Sequence, residues 1–122
     1  MLYNKNIINE ILLSEFLEEI EAEVDYYVMM LDKDKLEQYF DEPVDDIALG
    51  ETDEVEVQEF ELIKENSATK IYGIMKISIF LDGYESMENE ILLVDTVKAD
   101  FEFAFCFLEE KKKYSSFKME HI

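Results

Sequence analysis

From Lys70 to Asp82 every odd position is apolar or glycine: Ile71, Gly73, Met75, Ile77, Ile79, Leu81. Even positions place Lys70, Lys76, Ser78 and Asp82 among apolar Tyr72, Ile74 and Phe80. A second run repeats the pattern with Ile91, Leu93, Val97, Ala99, Phe101, Phe103, Phe105 and Phe107, and its even positions hold Thr96, Lys98, Asp100 and Glu102. Alternation with a period of two puts successive side chains on opposite faces of a strand. These runs therefore predict two long strands, each burying its odd face. Asp82-Gly83 reads as the opening of their connection, with a loop from Asp82 to Glu90. That register sets Ile71 opposite Phe101. Residues 102–108 then overhang, free to pair with the first strand, another chain or a last strand.

The N-terminal part has a different period. Ile7, Ile8, Ile11, Leu12, Phe16, Leu17, Ile20, Val24, Tyr27, Val28 and Leu31 fall three and four apart, the stripe of one long helix over 4–31. Asn4 or Asn6 suits its N-cap. Asp32 to Lys35 is a break. Asp34, with Glu37 three residues on, has capping-box spacing for a short helix to about Phe40 that buries Leu36, Tyr39 and Phe40. Pro43 suits the first turn of a further short helix, ended by Gly50. Val55 and Val57, then Phe60 and Leu62, predict a strand over 53–63 with a bulge near Gln58-Glu59, where the phase slips. Lys64 to Thr69 is the first hairpin loop, and Tyr114 to Ile122 is a short last strand or a loose tail. The expectation is an α+β fold in one domain, residues 1–122. Residues 1–50 supply N-terminal helices packed on one face of a three- to four-stranded antiparallel sheet with a long central hairpin. The meander occupies 53–108 and the tail 109–122.

Charge changes the picture. The chain has 31 acids against 11 lysines, no arginine, and a net charge of −20. Residues 1–63 alone carry −17, and from Glu37 to Ile63 eleven acids stand without one base. Such a surface repels nucleic acid and anionic membrane, since DNA binding rests on cations that neutralise phosphates. It favours a basic partner. A plain solubility coat is the alternative, although small domains commonly need only about 2–8 net charges for that. No apolar run approaches the ~20 residues of a membrane span, and no signal peptide is evident. The lone Cys106 forbids an intramolecular disulfide and suits a reducing cytoplasm.

Chemistry is sparse. The only histidine, His121, lies one residue from the end and reads as exposed and inert. One Cys and one His do not make a zinc site. No Gly-rich phosphate loop occurs among three glycines. Asp41, Glu42, Asp45 and Asp46 cluster around Pro43 without calcium-loop spacing. Glu110-Lys-Lys112 has the acid-x-Lys spacing of some nucleases, a weak signal in a charged turn. No catalytic residues, metal or cofactor are expected. The expected function is that of a non-enzymatic acidic protein. It would inhibit a basic nucleic-acid-handling protein, such as a nuclease, by charge mimicry, in the manner of antitoxins, immunity proteins or phage anti-defence proteins. Its contact residues would be Asp41, Glu42, Asp45, Asp46, Glu51, Asp53, Glu54, Glu56 and Glu59. The alternative is a chaperone or assembly module that grips extended polypeptide by its sheet edge or by the Phe101–Phe107 face.

Overall fold

A computed structural model describes residues 2–122. Three helices, α1 (Lys5–Glu15), α2 (Leu17–Met29) and α3 (Lys33–Glu37), precede four strands. The strands β1 (Asp46–Glu65), β2 (Ala68–Met87), β3 (Glu90–Glu110) and β4 (Lys113–His121) form one antiparallel sheet in chain order. The fold is α+β, as the two hydrophobic periods require.

All helices lie on one face. Ile8, Ile11, Leu12, Phe16, Ile20, Val24 and Val28 meet Ile71, Met75, Ile77, Ile79 and Leu81 of β2 and the Phe101–Phe107 ladder of β3 in a single core. The four phenylalanines are thus covered by the helices and buried. Burying one such ring is worth about 1.5–3 kcal/mol, so closing the core over this ladder outweighs leaving it open.

The long N-terminal stripe is two helices, not one. Asn4 caps α1, accepting the Ile7 N–H at 2.9 Å. At Phe16 the backbone leaves helical geometry (φ −129°, ψ 13°), while Phe16 N–H still bonds the Leu12 carbonyl and Ile20 N–H the Phe16 carbonyl. The Phe16 ring is drawn down between Phe107, at 5.4 Å, and Phe117, at 4.8 Å. A kink that satisfies its backbone and seats an aromatic ring costs little, and it lets α1 lie over β1 while α2 reaches β4. The short third helix starts earlier than its capping-box spacing implies. Asp32 is its N-cap, Asp34 falls in its first turn, and Tyr39 stays 39% exposed while Leu36 and Phe40 are buried.

Three expectations fail in the sheet. Residues after Pro43 do not form a helix; β1 begins at Asp46, with Ile47 opposite Gly83 and Leu49 opposite Leu81. Pairing to a long neighbour overrides a local helix signal carried by so few residues. The central hairpin does not turn at Asp82-Gly83. Its strands run on to a tight turn at Glu88-Asn89, so Ile71 faces Phe107 rather than Phe101. Gly83 has no positive φ. A Cβ there would lie 2.7 Å from both Phe40 and Val44, so its bareness serves close packing. The first hairpin loop likewise shrinks to Asn66-Ser67, with Asn66 left-handed at φ 54°. The expected bulge is present, between Val57 and Glu59, and the tail is the ordered strand β4.

Candidate binding face

The opposite face of the sheet carries no helix among the described residues. Its composition follows from the register. Glu54 faces Ser78, Glu56 faces Lys76, Glu59 faces Ile74 and Glu61 faces Tyr72. Val55, between the first two acids, and Val57, after the second, point to the core and are buried. Four acids at positions 54, 56, 59 and 61 would not share a face in a regular strand. The extra residue at Gln58 shifts the phase by one and aligns them. Within the regular segments, carboxylates two residues apart repeat at roughly 6.7 Å. Beside the row, β2 and β3 present half-buried Tyr72, Ile74, Phe80, Ala104, Cys106 and Leu108. The face therefore has an apolar middle and an acidic margin.

Several polar contacts hold this margin in place. Lys76 Nζ lies 3.4 Å from Glu56, and Lys98 Nζ 3.5 Å from Asp53. Ser78, only 2% exposed, donates to Asp100, and Thr96 donates to Asp82 at 2.6 Å. The Tyr72 hydroxyl donates to Glu61. That bond to a carboxylate holds the phenol in its protonated form and raises its pKa above the usual value, with burial and the Glu61 charge acting in the same direction. Glu59, Phe60, Glu61, Tyr72, Gly73, Ile74 and Ala104 line a hollow of about 520 Å³.

The nine acids singled out by sequence are divided by the fold. Asp53, Glu54, Glu56 and Glu59 lie along the middle of β1, and Glu51 is exposed nearer its start. Asp41 and Glu42 belong to the loop before β1, where with Asp95 they ring a small cleft against Val94. Asp45 accepts the Ser86 backbone N–H at 2.8 Å, and Asp46 accepts that of Ile47 at 2.9 Å. Asp45 thus ties the strand start to the hairpin, and its own N–H bonds the Tyr84 carbonyl at 2.8 Å, while the Asp46 contact is local to β1. Sequence reasoning passed over Glu61, Tyr72 and Asp100. A signal for Tyr72 was present in the even positions of β2, where apolar residues recur on what would otherwise be a solvated face, whereas Glu61 reaches this face only through the bulge.

Other candidates resolve simply. His121 is exposed at the end of β4 but stacks on Tyr27, with ring centroids 4.1 Å apart. Cys106 is half-buried opposite Lys118. Among the described residues no group of three or more His, Cys, Asp or Glu is placed to hold a metal ion, and no helix is long and apolar enough to cross a membrane. Compared with known proteins, the chain matches no family model, no curated relative and no solved structure.

Proposed function

We infer that the protein is a non-enzymatic inhibitor that docks the helix-free face of its sheet onto the cationic site of a basic, nucleic-acid-handling protein in the cytoplasm. The observation that carries this reading is the phase shift at Gln58, which gathers Glu54, Glu56, Glu59 and Glu61 onto one face beside an uncovered apolar strip. An apolar centre with a charged margin is how protein interfaces are commonly built. A carboxylate row steers a cationic partner, raising association rates by about 10–10³-fold, and the strip slows departure. The antitoxin, immunity and anti-defence types of inhibitor share this chemistry.

The test is a pull-down from a lysate of the source cell at low salt, followed by a salt step. One basic nuclease or nucleic-acid-binding protein should elute with salt and be competed off by DNA or RNA. Loss of that capture in a variant with Glu54, Glu56, Glu59 and Glu61 changed to Gln would tie it to this face. A salt-resistant mixture of unfolded chains, or no specific protein at all, would refute the inhibitor.

A further inference from the structure

The β3 strand has two halves. From Phe103 to Glu110 its outer edge is paired with β4. From Glu90 to Phe101 that edge has no strand partner among the described residues, the last contact being Ile122 N–H to the Glu102 carbonyl. Unpaired N–H and C=O groups along a strand are a template for another strand. Exposed edges are usually blunted by charge, proline or bulges. The outer edge of β1 has three irregularities and a dense run of acids. The free half of β3 has one irregularity, at Val94, and its single lysine is turned across the sheet to Asp53. Its tip is also apolar on both sides. Ile91 and Leu93 are 73% and 57% exposed, with Leu92 between them on the other side.

The charge around this edge selects its occupant. Glu85, Glu88, Glu90, Asp95, Asp100 and Glu102 surround it, against Lys98 alone. A second copy of the chain brings the same acids against the edge with Lys98 as its one cation, so like charge meets like charge, which is destabilising. An extended segment that alternates apolar and basic side chains fits. Its backbone completes the ladder, its apolar residues cover Ile91 and Leu93, and its cations meet the acids. We propose that the edge from Ile91 to Phe101 is a strand-addition site for an extended apolar-basic segment of the basic partner. This rests on the inhibitor reading for the partner's charge. It adds a second contact, made by backbone rather than by the open face.

The probe is a synthetic peptide of alternating Lys and Val, about ten residues long to match the free edge, added to the full chain. A Lys-Ser peptide of equal charge is the control. Amide hydrogen exchange should slow at least about tenfold within residues 91–101 on adding Lys-Val. The outer edge of β1 should not change. Leu93→Lys, at an exposed site, should keep the thermal unfolding profile and weaken Lys-Val binding by about tenfold or more. Ile63→Lys, at an exposed site on β1, should leave both the unfolding profile and Lys-Val binding unchanged. Equal binding of Lys-Ser, protection confined to other strands, or no binding would overturn the proposal. So would a dimer in sedimentation that Leu93→Lys dissolves. Failure of this edge leaves salt-released capture by the acidic face intact. Failure of the inhibitor reading would appear as an empty salt step with Lys-Val protection still present, so the two are separable.

Discussion

Gly73 is where the bulge in β1 can be tested. A Cβ on Gly73 would lie 2.8 Å from the Phe60 Cα and nearer still to the Glu59 carbonyl oxygen. Comfortable carbon contacts need about 3.5–4.0 Å, so Gly73→Ala forces β1 outward by roughly 1 Å. Both obstacles are backbone and have no rotamer in which to escape. Stretching the flanking ladder bonds by that amount takes them past hydrogen-bonding range. Losing two of them at about 1 kcal/mol each, with overpacking of at least about 1 kcal/mol, gives a cost near 3 kcal/mol. For a chain of this size that lowers Tm by roughly 12 °C. The clash is created by the extra residue in β1. Deleting Gln58 should remove it, because Glu59 and Phe60 then oppose Ile74 and Gly73 in a regular ladder, with Glu54, Glu56, Glu59 and Glu61 still on the bare face. In that background Gly73→Ala should cost less than about 1 kcal/mol, since alanine outranks glycine within a strand. Urea unfolding of the four proteins in a double-mutant cycle measures the coupling, expected near 2 kcal/mol. Equal cost of Gly73→Ala in both backgrounds would refute the argument.

Lys111 and Lys112 close the β3–β4 turn with φ 53° and 65°, so a Lys111→Asn, Lys112→Gly chain should gain about 1 kcal/mol in urea unfolding by placing turn residues where positive φ is required. The Tyr72 phenol, raised by its bond to Glu61, is protonated across the ordinary range. Its small contribution is present below the unfolded value near 10 and is lost as pH rises through the higher folded value. A titration of tyrosinate absorbance in Glu61→Gln should show that step move down. With 31 acids and 11 lysines, repulsion within the fold should be relieved by salt. Raising NaCl from about 0.01 to about 1 M, which cuts the screening length from roughly 30 to 3 Å, should raise Tm by several degrees in calorimetry, and a fall would mean that surface ion pairs dominate. Changing Glu54, Glu56, Glu59 and Glu61 to Gln should leave circular dichroism unaltered but produce self-association in sedimentation, since the apolar strip loses its like-charge guard.

The faces of the strands were legible except at the start of β3, where the shift at Val94 turns Ile91 and Leu93 out of the expected buried face; their register was not, for one physical reason. Alternation repeats every two residues, so an even slip leaves every side chain on its own face. Ile71 meets a buried phenylalanine whether it pairs with Phe101 or Phe107. What fixes the choice is turn geometry, and the turn at Glu88-Asn89 lacks the glycine that made Asp82-Gly83 attractive. The helical stripe was legible because its period is long and sustained, but the kink at Phe16 needs the Phe107 and Phe117 rings, far off in sequence. The acids of β1 were visible by density alone. Which of them share a face depends on the bulge, and the structural duties of Asp45 and Asp46 depend on Ser86 and the strand start.

The bare face bears on what the charge is for. An antiparallel sheet with one solvated side normally alternates apolar-in with polar-out. Here the out positions keep Tyr72, Ile74, Phe80, Cys106 and Leu108. Left neutral, such a strip on each molecule would draw copies together. The flanking carboxylates oppose that association at long range, while the same field draws a cationic surface in. On the proposed reading, a solubility coat and a binding face are one arrangement seen by two kinds of neighbour. Like copies meet repulsion before they meet the strip, and a basic partner meets attraction before it does. On that reading the ordering of forces makes the four carboxylates of Glu54, Glu56, Glu59 and Glu61 useful beside an uncovered apolar strip.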